Sequence, residues 1–98
     1  MRALPLVVHA EYDGDYRIRL AFNDGVKGTV DFAEWLIGPV FEPLKDRSLF
    51  AKFKLDPELA TIIWPNGVDL APEYLFFQAF KDAPEWQDQY KNWGYKAD

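Results

Sequence analysis

Among the side chains able to carry chemistry, this sequence offers one histidine, His9, one serine, Ser48, and no cysteine. A histidine general base needs a cleft and an orienting carboxylate. His9 instead falls in an alternating, strand-like run beside Arg19, which predicts a plain surface role. With no second histidine and no cysteine, zinc has no usual ligand set and disulfides are excluded. Asp13, Asp15 and Asp24 sit in turn-like segments and could hold a hard cation. They lack the loop length and closing glutamate of a calcium hand, so they read as turn formers. Ser48 is not in a Gly-x-Ser-x-Gly setting, and the scattered glycines form neither a phosphate loop nor a dinucleotide fingerprint. The expectation is a protein that is not an enzyme, with no catalytic residue, no cofactor and no metal.

Two constellations could bind rather than react. Trp86, Tyr90 and Trp93 recur at helical spacing near the end of the chain, with a stop signal at Gly94. Such a stripe either packs on its own domain or meets a partner, because Trp and Tyr are enriched at interface hot spots. The run Trp64-Pro65-Asn66-Gly67-Val68-Asp69 ends a strand in a tight turn. Trp64, Asn66 and Asp69 are therefore binding candidates beside their structural role.

Whatever these residues do, the elements around them must position them. The 98 residues are one domain's worth, and 17% are aromatic. A few large rings can fill the core of so short a chain. The net charge of −5 works against binding DNA or RNA, and no Lys/Arg run offsets it. The first residues are too short an apolar run for a signal peptide, and no stretch is long enough to span a membrane. A cytoplasmic protein is expected.

The first third alternates with period two: Leu4, Leu6, Val8, Ala10 and Tyr12, then Tyr16 to Phe22, then Val26 to Phe32. That is the pattern of strands with one buried and one wet face, broken only by Val7. Three-residue loops at Asp13–Asp15 and Asn23–Gly25 keep the apolar parity in register. They place Tyr12 opposite Tyr16, His9 opposite Arg19, and Arg17 between Glu11 and Asp31. Each such charged pair is worth about a few tenths of a kcal/mol at the surface. Gly25 should take a positive φ, and Gly28, standing where an apolar side chain belongs, signals a bulge or a close backbone approach.

Asp31-Phe32-Ala33-Glu34 fits a capping box for a short helix carrying Trp35 and Leu36. Asp46 could cap a turn of helix between Phe41 and Leu49. Ala51–Leu55 and Ala60–Trp64 read as a second hairpin around a loop at Asp56–Leu59, with Phe53 opposite Ile62. Pro72 opens a nearly all-apolar helix, and Asp82-Ala83-Pro84-Glu85 is a further capping box before the tail helix. The expected fold is α+β, a three-stranded antiparallel meander plus a second β-hairpin. Short helices follow strand 3, precede strand 4 and close the C-terminus. Residues 1–80 form the domain, and 81–98 a helical tail packed on it or on a partner.

The pattern Phe22-Asn23-Asp24-Gly25, Asp31-Phe32, Leu36, Leu44, Asp46, Phe50, then Thr61-Ile62-Ile63-Trp64-Pro65-Asn66-Gly67-Val68-Asp69-Leu70-Ala71-Pro72-Glu73-Tyr74-Leu75 resembles the bacterial family catalogued as domain of unknown function 2442, over about residues 5–77. The resemblance implies a small α+β fold of paired strands with short helices, in a family with no established activity. It further implies an antitoxin-like or regulatory partner role, since relatives are often encoded beside small toxin-like proteins. Some relatives continue into a helix-turn-helix domain, which gives the alternative of a transcription-linked regulator. Only 18 residues follow Phe80 here, too few for a helix-turn-helix domain and not basic, so direct nucleic-acid binding is not expected. The expected partner is a second copy in a homodimer or a small protein.

Overall fold

The computed structural model describes residues 5–36 and 38–95, Trp35 by its backbone only. Leu4, expected on the first strand's buried face, and the last three residues of the tail lie outside them. Strands β1 (Val7–Tyr12), β2 (Arg17–Phe22) and β3 (Lys27–Asp31) form an antiparallel sheet in the order β1-β2-β3. A single turn of helix, α1 (Arg47–Phe50), precedes the hairpin of β4 (Lys54–Asp56) and β5 (Thr61–Ile63). Helix α2 (Pro72–Ala79) and helix α3 (Gln87–Asn92) complete the chain. Shorter turns of tight helix occupy Ala33–Trp35, Glu42–Lys45 and Pro84–Trp86. This is the α+β fold expected, a meander and a separate hairpin with short helices in the three expected places.

The inner face of the sheet follows the alternation. Ile18, Leu20, Phe22 and Val30 are all buried, as is Phe32 just beyond β3. The second turn is as expected: Phe22 N–H donates to Val26 O, and Gly25 has φ +89°. Gly28 is a close approach. A Cβ there would stand 2.9 Å from Phe80 Cζ and 3.1 Å from Ala79 Cβ, so the missing side chain admits the end of α2 against β3.

The other two hairpin loops, β1–β2 and β4–β5, are displaced by one residue from their expected places, and their registers shift by two. In the first, Asp13 N–H bonds Arg17 O, so the loop is Gly14-Asp15-Tyr16 rather than Asp13–Asp15. Glu11 therefore faces Arg19, His9 faces Ala21, and Arg17 keeps Asp31 but not Glu11. Gly14 (φ +88°) and Asp15 (φ +46°) take the left-handed conformations the turn requires. Tyr16, released from pairing, sends its hydroxyl to Lys45 O and sets its ring 5.5 Å from Phe50.

In the second hairpin, Leu55 rather than Phe53 opposes Ile62, and the strand begins only at Lys54. The loop is Pro57–Ala60. Asp56 Oδ1 accepts from Glu58 N–H (2.8 Å) and Leu59 N–H (3.1 Å), while Ala60 bears a φ of +53°. A two-residue shift preserves parity, which is why the buried faces come out correctly despite it.

The start of β1 departs from the alternation. A bulge between Val7 and His9 adds Val8 to the strand. Val7 is therefore buried, whereas Leu6 and Val8, expected in the core, are 43% and 56% exposed. The caps follow expectation at Asp46 but not at Asp82. Asp31 Oδ1 accepts from Ala33 N–H (2.9 Å) and so braces the turn; its strand position faces Arg17, but the Arg17 guanidinium lies beside Asp13 and Asp15. Asp46 caps α1 through Ser48 N–H (2.9 Å) and Ser48 Oγ (3.0 Å). The Ser48 hydroxyl bond, then the amide bond, holds the Asp46 carboxyl below the usual carboxylate range. Asp82 does not cap; Ala83 stands at the start of the Pro84–Trp86 turn with no side-chain bond.

Gly28→Ala is expected to destabilise the protein by about 1–3 kcal/mol, because the added methyl must displace the Phe80 ring. Urea unfolding measures it; an unchanged midpoint would contradict the packing of α2 on β3.

Candidate interaction surface

The charged side chains on the outer face of the sheet neutralise one another. Arg19 lies 3.7 Å from Glu11 and 3.1 Å from Asp13; Arg17 lies 3.8 Å from Asp13 and 3.6 Å from Asp15; Arg47 lies 3.2 Å from Asp15. The result is an alternating row, Glu11–Arg19–Asp13–Arg17–Asp15–Arg47, that ties α1 to the first hairpin. Individually such exposed pairs contribute little. Together they leave Asp13 and Asp15 engaged by arginines, and Asp24 accepts from Val26 N–H at 3.2 Å. His9 is exposed and borders a hollow of about 250 Å³ with Glu11, Arg19 and Lys27. Among the described residues, no cluster of His, Asp and Glu is arranged to hold a metal ion.

The Trp64–Asp69 run forms a tight turn whose residues have separate duties. Trp64 is 1% exposed, and its indole N–H donates to Phe50 O at 2.8 Å. Trp64 N–H bonds Val68 O, Gly67 takes φ +86°, and Asn66 Oδ1 accepts from Val68 N–H at 3.3 Å. Asp69 bridges to Ile63, and Thr61 Oγ1 donates to Leu70 O, so the segment after the turn lies along β5. Asn66 and Asp69 are exposed, whereas the Trp64 ring is spent in the core. On the outside of this hairpin, Lys52, Lys54, Pro57, Ile63 and Pro65 line a hollow of about 380 Å³.

The tail stripe turns inward. Tyr90 is fully buried, its hydroxyl donating to Phe80 O at 2.7 Å and its ring 4.9 Å from Phe77. Trp86 is half-buried, 4.5 Å from Phe76, and Trp93 packs 6.0 Å from Tyr90. Tyr95 closes the cluster against Tyr74 (5.3 Å) and Phe77 (5.2 Å). Of the six candidates, Trp86, Tyr90 and Trp93 thus form one group on α2, and Trp64, Asn66 and Asp69 another at the hairpin.

Apolar exposure lies elsewhere. The N–H of Val7 donates to Ala60 O at 2.9 Å, joining the edge of the sheet to the tip of the second hairpin. Leu6 and Val8 flank the donor, and Leu59, 52% exposed, flanks the acceptor. Three exposed aliphatic residues are therefore chain neighbours of the two residues joined by this backbone hydrogen bond. Sequence reasoning placed Leu6 and Val8 inside and Leu59 in a loop. The interruption of alternation at Val7 was the available signal.

A family model described as "Protein of unknown function (DUF2442)" matches residues 7–81. No curated protein and no solved structure matches the chain. Among the described residues, no helix is long and apolar enough to cross a membrane.

Burial, and then the nearby Glu85 carboxylate, push the Tyr90 phenol up to about 12. A buried phenol that resists ionisation stabilises the fold in full below about pH 10, its unfolded value. That stabilisation, on the order of 2 kcal/mol, is expected to be lost between about pH 10 and 12. Denaturation across this range on the native chain and on Tyr90→Phe measures it: the variant should be less stable at neutral pH and fall less steeply in alkali.

Proposed function

Given that this chain belongs to the DUF2442 family, whose description assigns no activity, we propose from its own surface that it is a non-enzymatic protein-interaction module. The observation that carries the reading is the trio Leu6, Val8 and Leu59 around the Val7–Ala60 hydrogen bond. Isolated exposed aliphatics are ordinary, but a group of them at a sheet edge is a feature of contact sites. The bulge supports the reading, since it turns Val8 outward from a strand whose neighbour Val7 is core. The occupant in this reading is a small protein encoded beside it, which makes the chain an antitoxin-like or regulatory partner. The inward-facing tail stripe moves the weight of the interface away from Trp86, Tyr90 and Trp93 to this edge.

Co-expression of the tagged chain with the product of the adjacent gene tests the proposal. The two are expected to copurify, and Val8→Lys with Leu59→Lys should abolish copurification while leaving the circular dichroism and melting of the chain unchanged. Both side chains are more than half exposed, so the substitutions spare the core. Failure of the neighbour to copurify, or equal retention by the double variant, would sink the reading.

A further inference from the structure

The opposite edge of the sheet has a different character. Strand β3 has the sequence Lys27-Gly28-Thr29-Val30-Asp31 and pairs with β2 on one side. Phe22 N–H bonds Val26 O at one end of β3, and Phe32 N–H bonds Tyr16 O at the other. The residues turned toward β2 are therefore the even ones. The peptide groups of Lys27, Thr29 and Asp31 point to the side where the sheet ends. Among the described residues, no hydrogen bond reaches the backbone of Lys27 or Thr29 from that side. The side chains of Lys27 and Thr29 are exposed on the outer face. Helix α2 packs beneath β3, at Gly28, and so supports the strand from its inner face.

This edge is complementary to itself. We infer that two copies of the chain pair through β3, antiparallel about a two-fold axis at Thr29. In that register Thr29 lies opposite the partner's Thr29, and the two exchange a pair of backbone hydrogen bonds. Lys27 lies opposite the partner's Asp31, and the same contact recurs across the axis. Sliding the register by two residues in either direction separates lysine from aspartate. Parallel pairing in register sets like charge against like. Opposite charges placed four residues apart around a central threonine therefore select one partner orientation, which is the self-matching that a two-fold interface requires. The two three-stranded sheets become one of six strands, and each loses its open β3 edge. The surface is separate from the Leu6–Val8–Leu59 trio, which lies at the other edge, so both can be occupied at once.

Size-exclusion chromatography with light scattering over a concentration series tests the inference. The native chain is expected to approach twice its 11.4 kDa mass as concentration rises. The amide of Thr29 should gain protection from hydrogen exchange over the same range. Thr29→Pro removes an outward N–H and no bond to β2, so it should give a folded monomer. Lys27→Asp sets two acids against each other at both ends and should weaken the dimer about tenfold or more. It serves as the deciding variant should Thr29→Pro lose its circular dichroism spectrum. A native chain that stays monomeric at every concentration overturns the inference. So does a dimer that persists in the folded variants, or one formed without protection of Thr29. Val8→Lys with Leu59→Lys should leave the dimer intact, which separates this surface from the proposed partner site.

Discussion

Much of this small protein depends on where the Trp64 ring sits. Its edges meet Phe32 at 5.8 Å and Phe50 at 5.7 Å, and its N–H finds the one carbonyl, Phe50 O, that ends α1. An indole buried without that bond would leave a donor unsatisfied, at a cost of about 1–3 kcal/mol. With it, three segments distant in sequence are held together: the end of β3 through Phe32, α1 through Phe50, and the second hairpin through Trp64 itself. Phe50 in turn meets Tyr12 and Tyr16 edge-on, which carries the contact back to the first hairpin. The turn after Trp64 then lays Asp69 and Leu70 along β5 and delivers the chain to Pro72, where α2 begins. The Trp64–Asp69 run is thus where the core closes, and Trp64, Gly67 and Val68 each have a structural duty in it.

The sheet was legible because period-two alternation states which face is buried, and burial is what the strands must satisfy. The same property limits how far the reading goes. Parity is unchanged when a loop slides by one residue and the register by two, so alternation alone could not choose between Glu11–Arg17 and Glu11–Arg19. The choice is made by backbone conformation. Asp15 and Ala60 adopt positive φ, and Ala60 carries no sequence sign of doing so. Side-chain caps also decide. Asp56 holds two loop amides, which brings it into the strand pair and moves the loop one residue on. Gly28 was legible for the opposite reason, since a glycine where the pattern demands an apolar side chain calls for something else to fill the space, and Phe80 does.

The candidate surface was less legible than the fold. Aromatic residues at helical spacing look alike whether they face a partner or their own domain. What sends Trp86, Tyr90 and Trp93 inward is the apolar back of α2: Phe76 meets Phe22 of the sheet at 5.1 Å on one side and Trp86 at 4.5 Å on another, and Phe77 takes its cover from Tyr90 at 4.9 Å. The tail therefore answers a packing demand created ten residues earlier. Conversely, Leu6 and Val8 matched the core pattern and are exposed, because one bulge reverses the sense of every residue before it. A single extra residue is invisible to a pattern count unless the interruption at Val7 is taken at face value.

The two edges of the sheet end up with different protections, and this asymmetry organises the molecular surface. At β1 the bulge breaks the ladder and the hairpin carbonyl of Ala60 occupies the Val7 amide, so another strand cannot simply extend the sheet there. What that edge exposes is side chains, the aliphatic Leu6, Val8 and Leu59, which the proposed partner would cover. At β3 the ladder is regular, short and bordered by charge, so what it offers is backbone, and only to a strand whose charges alternate in the complementary sense. A surface that recruits through side chains can vary its partner by substitution at few positions. In the proposed pairing a surface that recruits through backbone relies on charge placement to exclude wrong strands, and Lys27 and Asp31 would do so. Between them lies the outer face of the sheet, where the row from Glu11 to Arg47 closes on itself and leaves little charge to attract anything else.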